Sequence, residues 1–146
     1  PNDNYDLLNS HVLPALLRKF HEAKIHGNST VVLWGTGKPI REFLHVDDLA
    51  DACVFLMNSY SELKFVNVGS GKELSIGDLA FMIKQIVGFD GEIIFDLTKP
   101  DGTPRKLMDS SRLISMGWVP KISLEAGIRL EYNNQFIDKA HIDKRS

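Results

Sequence analysis

The sequence is short of several things, and each shortage removes a class of protein. It has one cysteine, Cys53, among 146 residues. An internal disulfide is therefore excluded, and no Cys/His spacing suggests a zinc site or another metal centre. No apolar run approaches the 18 or more residues of a membrane span, and no leader pattern opens the chain. It has no surplus of positive charge. The formal net charge is −2, whereas a nucleic-acid binder would show a basic stripe. There is no internal repeat and no low-complexity linker. These readings point to a reducing, cytoplasmic setting with neither membrane nor nucleic acid as partner. An initiator methionine is lacking too: the chain opens Pro1-Asn2-Asp3-Asn4, which points to a processed chain or a piece of something longer.

What is present is ordinary for a globular domain. Apolar residues make up 43% and charged residues 25%, enough to bury a core in one domain. Leu13, Leu16, Leu17 and Phe20 recur at helical spacing, with Arg18, Lys19 and Glu22 elsewhere, so a helix is expected within 9–28. Asn9 or Ser10 is the expected cap, Gly27-Asn28 the stop, and Pro14 falls in the first turn, where a missing N–H costs little. Short strands are expected at 31–34 and 40–44. A second helix follows over 45–60, with Leu49, Cys53, Leu56 and Met57 on its apolar face and acidic residues at its start. A buried strand is read at 64–70. A third helix is capped by Ser75 and stopped by Gly88. A strand at 91–96, a polar loop at 98–109, a short helix at 110–118 and a last helix capped by Ser123 complete the pattern. Helices alternate with strands, so the class is α/β or α+β.

The segment "VVLWGTGKPIREFLHVDD" poses the functional question. A strand running into Gly35-Thr36-Gly37-Lys38 looks like a phosphate loop. The template G-x-x-x-x-G-K-[ST] fails, because Val32 stands at the first glycine and Pro39 at the hydroxyl position. The dinucleotide template G-x-G-x-x-G fails as well, with Ile40 at its third glycine and Pro39 opposing a helix. What remains is a tight turn between two short strands, flanked by Trp34 and Arg41. An Arg that forks onto phosphate and a Trp with a stacking face could hold a flat anion. A surface ion pair of Arg41 with Glu42 or Asp47, beside a core tryptophan, explains the same residues.

Longer stretches carry a resemblance. "GTGKPIREFLHVDDLADA" resembles the substrate part of the extended short-chain dehydrogenase/reductases. "NSHVLPALLRKFHEA", "FVNVGSGKELSI" and "KPDGTPRKLMDSSRL" together are similar to the GDP-L-fucose synthase family, NADPH-dependent 3,5-epimerase/4-reductases of GDP-4-keto-6-deoxy-mannose. The similarity runs from Pro1 to about Phe136. It implies an α/β fold: the C-terminal, substrate-binding half of such an enzyme, at residues 1–139, with a polar tail at 140–146. The Rossmann half, with its NADP fingerprint and Ser-Tyr-Lys set, is absent from this sequence. Tyr60 and Lys64 match the Tyr-x-x-x-Lys spacing by chance, at the end of a helix.

The resemblance also assigns roles. His11 matches the family's proton-donating histidine, whose cysteine partner belongs to the other half, and the same His11 is placed against the NADP cofactor. A helix start suits a group that hands over a proton. Lys19 stands where relatives often have Arg, and meets phosphate. Trp34 matches a substrate-contacting tryptophan, and Arg41 the arginine on the diphosphate. Lys106 reaches a phosphate or ribose oxygen, and Val12 and Leu16 supply apolar walls. Asp101 either reads guanine N1–H and N2–H₂ or forms a turn with Gly102. His45, Asp47 and Asp48 read as strand-to-helix capping. Cys53 reads as an inert core thiol, and His21, His26 and His141 carry no signal. The implied partners are a GDP-sugar and, in the whole enzyme, a second copy in a homodimer. UDP- or dTDP-sugar enzymes and a non-catalytic nucleotide-binding module are the alternatives. The fragment alone brings no redox chemistry. It is also expected to expose apolar surface where 45–60 and 64–70 would pack on the Rossmann sheet.

Overall fold

The computed structural model of the chain describes residues 3–7 and 9–138. The expected tail at 140–146, with His141 in it, lies outside these residues.

The first helix, α1, spans Val12–Ile25 and buries Pro14, Leu16, Leu17, Phe20 and Ala23. Its N-cap is His11, in an extended conformation, and no side chain caps the helix. Neither expected cap serves. Asn9 is drawn upstream, where its backbone N–H and its amide both donate to Asp6 Oδ1 at 2.9 and 3.1 Å. The expected stop holds: the Asn28 N–H closes on Ala23 O at 2.9 Å beside Gly27.

Strand β1 (Thr30–Trp34) pairs in parallel with β4 (Glu92–Asp96), Val31 opposite Ile93 and Trp34 opposite Asp96. Alternation sends Val31 and Leu33 inward, and Val32 and Trp34 outward. A second sheet has β2 (Ile40–Glu42) at its centre, antiparallel to β3 (Glu73–Ser75) and parallel to β5 (Arg105–Lys106). The glycine turn therefore closes no hairpin. It carries the chain from one sheet to the other, because β1 and β2 each find partners from later in the sequence.

Helix α3 (Ile76–Val87) is bounded as expected, by the Ser75 hydroxyl accepting from the Asp78 N–H and by Gly88 at φ 70°. It packs between α1 and α5 (Leu124–Tyr132), which Ser123 caps by accepting from the Ala126 N–H. A π-helical turn, Asn133–Asp138, follows α5. The main core is drawn from these elements: Leu17, Phe20, Leu79, Ile83, Val87 and Ile128 are among its buried side chains. A second, smaller cluster joins Ala52 of α2 (Val46–Ser59), Leu113 of α4 (Ser111–Ser115) and Trp118.

Three expectations fail around that smaller cluster. The stretch 64–70 is not a strand. No described strand runs beside it to complete a ladder, and Phe65 stands 86% exposed. Helix α2 has the right period and the wrong phase. Asp48 and Ala52 face inward with Phe55 and Leu56, while Leu49, Cys53 and Met57 are exposed. Cys53 is thus a surface thiol and not a core one. Finally, the polar loop at 98–109 contains β5, two residues long, which the turn-rich composition hides.

Candidate functional site

Cross-strand register sorts the charges of the small sheet onto two faces. Glu42 lies opposite Glu73, and Ile40 opposite Arg105, so these share one face. There Arg105 makes a fork onto Glu73, with contacts of 2.6 and 2.7 Å. The hydrogen bond from Arg105 holds the Glu73 carboxyl below its ordinary range and, in return, raises the Arg105 guanidinium. On the other face Arg41 lies opposite both Leu74 and Lys106. Arg41 Nη1 donates to the carbonyls of Ile40 and Thr103, each at 2.7 Å. Among the described residues, neither Arg41 nor Lys106 enters an ion pair. Like charges directly opposite in a sheet repel, and an anion between them removes that cost.

These cations open onto a groove of about 1140 Å³, lined among others by His11, Val12, Leu74, Arg41 and Lys106. Such a volume takes a ligand at the large end of the small-molecule range. The His11 ring is exposed at the mouth. His11, Val12, Arg41 and Lys106, distant in sequence, thus meet in one place.

A second cluster forms at the glycine turn. Trp34 is 67% exposed, and its ring has Lys19 Nζ at 5.9 Å and Lys99 Nζ at 5.7 Å from the centroid. Both distances lie within cation–π range. Lys99 opens the "KPDG" motif and was legible as a charge there, but nothing in the spacing tied it to Trp34. The turn beneath is latched by Asp101. Its two carboxylate oxygens accept from the Thr36 N–H at 2.8 Å and the Thr36 hydroxyl at 2.7 Å. The hydroxyl, then the N–H, hold the Asp101 carboxyl below its ordinary value. Gly35, at φ 76°, lets this carboxylate approach the backbone, since an added Cβ would collide with it. Asp101 thus braces the glycine turn through Thr36, a contact that neither reading of Asp101, guanine contact or turn with Gly102, anticipates.

Leu16 is 4% exposed within the main core and does not line the groove. The acidic helix start does more than capping. His45 Nδ1 does accept from the Asp47 N–H at 3.2 Å. Asp48, only 2% exposed, accepts from the N–H groups of Lys121 and Ile122, both at 3.0 Å. Asp51 takes the Trp118 indole N–H at 2.8 Å and Lys121 Nζ at 2.9 Å. Sequence reading missed these clamps because their partners lie some 70 residues away. Tyr60 is also structural, donating to Lys64 O and accepting from Arg112. The phosphate-cradling turn a dinucleotide needs is not met by the Gly35–Lys38 turn, whose N–H at Thr36 is spent on Asp101.

Comparison with known proteins bears on the family and the fold. The model of the NAD dependent epimerase/dehydratase family matches residues 1–69. The chain is 63% identical over 133 residues to GDP-L-fucose synthase 1 of Arabidopsis thaliana, covering 91% of this chain and 41% of that protein. It is 54% identical over 134 residues to the GDP-L-fucose synthase of Sinorhizobium fredii, covering 92% and 43% respectively. Among solved structures, a GDP-L-fucose synthetase from Naegleria fowleri bound to NADP superposes with a TM-score of 0.85 at 28% identity. That match covers 94% of this chain and 44% of the other. The fold is accordingly part of an extended short-chain dehydrogenase/reductase, and the chain spans about two-fifths of the length of the curated relatives it matches.

Proposed function

We propose, for a chain homologous to the GDP-L-fucose synthases over nine-tenths of its length, that it is the GDP-sugar-binding half of such an enzyme. The whole enzyme converts GDP-4-keto-6-deoxy-D-mannose to GDP-L-fucose, as a cytoplasmic homodimer. One observation carries the reading: Arg41 and Lys106 stand side by side on one face, in no ion pair among the described residues, and border a groove of ligand size, while Arg105 on the other face is paired with Glu73. That is where a diphosphate belongs.

Placement supports the remaining roles. Arg41, its guanidinium already anchored through Nη1, presents its other nitrogens to phosphate oxygens, and Lys106 adds a point charge. Trp34 offers a flat face, with Lys19 and Lys99 as cations at its rim. Val12 forms an apolar wall. Inversion at carbons 3 and 5 removes a proton acidified by the neighbouring ketone and returns one to the other side. His11, at the mouth of the groove, is the group that returns it. NADPH, held mainly by the cofactor half, supplies the hydride that reduces the ketone at carbon 4.

Isothermal titration of this chain with GDP, with UDP as control, tests the reading. GDP is expected to bind, and more tightly than UDP. Arg41→Ala is expected to weaken GDP binding by about 2 kcal/mol, as for loss of a charge-assisted contact. Unchanged affinity in that variant removes the diphosphate assignment.

A further inference from the structure

Arg41 is followed directly by Glu42, and the two side chains leave opposite faces of β2. Each reaches the chain on a different side of Lys106. Arg41 Nη1 donates to Thr103 O, three residues before it. Glu42 Oε2 accepts from the Met108 N–H, two residues after it, at 3.2 Å. The other oxygen, Oε1, accepts from the Gly71 N–H at 2.6 Å and from the Ser70 hydroxyl at 3.4 Å. Glu42 therefore ties β2 to two loops at once, using both carboxylate oxygens. The strand between the anchors, β5, is two residues long. A ladder so short holds its own position weakly, so the anchors decide where Lys106 stands.

Close packing at Gly69 supports a dedicated seat for this carboxylate. An added Cβ there would lie 2.6 Å from Glu42 Oε1 and 2.8 Å from Ser110 Oγ. Only a residue without a side chain leaves room. The buried Ser110 hydroxyl, which has no hydrogen-bond partner among the described residues, crowds the same spot.

We infer that Glu42 is a positioning residue for the anion site: by fixing the chain beyond β5 it sets Lys106 beside Arg41 at the spacing a diphosphate requires. This rests on the GDP-binding reading above. Glu42 borders the same groove, but both of its carboxylate oxygens are committed to the 70–71 and 108 segments, so its part is to anchor the chain and not to bind the anion. Among the described residues it also makes no ion pair with either cation.

Glu42→Gln is the informative change. It keeps the shape but replaces one acceptor oxygen with an NH₂ group. Whichever way the amide turns, one backbone N–H then meets a donor. In the unmutated background, Glu42→Gln is expected to weaken GDP binding by about tenfold. In a Lys106→Met background the same change is expected to cost less than about twofold, because the residue it positions is gone. Equal losses in the two backgrounds, or none in either, overturn the inference. Amide hydrogen exchange supplies a second readout that needs no ligand. Protection at Met108 and Gly71 is expected to fall in Glu42→Gln, and unchanged protection also overturns the inference. If the unmutated chain fails to bind GDP while exchange at Met108 responds to Glu42→Gln, the GDP reading falls and with it the binding role of Glu42, but the anchoring contact stands. Gly69→Ala, which crowds Glu42 without altering its charge, is expected to reproduce the loss in GDP affinity.

Discussion

Two regions of this molecule are held together by different physics. Around α1, α3, α5, β1 and β4, side chains such as Phe20, Leu17, Leu79 and Ile83 are wholly enclosed. Around α2 and α4, among the described residues, the buried apolar side chains are Ala52, Leu113 and Trp118, while Met57 is 83% and Phe65 86% exposed. What secures the second region is a set of carboxylates that reach across the fold: Asp48 to the 121–122 backbone, Asp51 to Trp118 and Lys121. Apolar burial is non-directional and tolerates local rearrangement. A carboxylate on two N–H groups fixes a position. The groove lies where these regions meet, with His11 and Val12 on the first side and Pro120 and Lys121 on the second. A site that must hold charges at set distances draws on the directional kind of support.

The contrast can be broken by substitution. The largest effect is expected in the first region: Phe20→Ala removes a fully buried ring from the main core and should cost about 3–5 kcal/mol in urea denaturation. A loss under 1 kcal/mol would mean that this core is far less close-packed than its burial implies. In the second region a polar residue should weigh about as much as the buried apolar ones. Asp48→Ala strands two backbone N–H groups, and about 2–3 kcal/mol is expected from the same measurement. If it proves neutral, the clamp contributes nothing and the region is held by its small apolar cluster after all. The smallest effect belongs to the exposed face of α2. Met57→Ser should change stability by no more than about 0.5 kcal/mol in this chain. A clear destabilisation would show that the face is covered in solution, by a second copy or by other parts of the protein.

The first region was the legible one. Leu13, Leu16, Leu17 and Phe20 announced α1, and Ser75 and Gly88 bounded α3, because caps and periodicity act within a few residues. The same logic misjudged α2. Its heptad of apolar side chains suggests a face through Leu49, Cys53 and Met57, whereas Asp48 set the phase by reaching a loop about 70 residues on. The supposed strand at 64–70 failed for a related reason: strands exist only in pairs, and the sequence cannot say that a partner is at hand. At the site, Arg41 and Trp34 were marked by their oddity beside a glycine turn. Lys106 was reached only through resemblance, and Glu42 was missed because an acidic residue next to Arg41 looked like its ion partner. In the fold the two leave opposite faces of β2 and anchor different loops.

The sequence by itself determined where helices form, several of their ends, the glycine turn and the set of charged residues available for binding, since all of these follow from interactions between near neighbours along the chain. The tertiary structure alone decided which strands pair, which charges are neutralised and which face the groove. Arg105 and Lys106 are adjacent and alike in charge, yet one is spent on Glu73 and the other, in no ion pair among the described residues, stands beside Arg41. Alternation across a sheet separates them, and alternation acquires that meaning only once β2, β3 and β5 have come together.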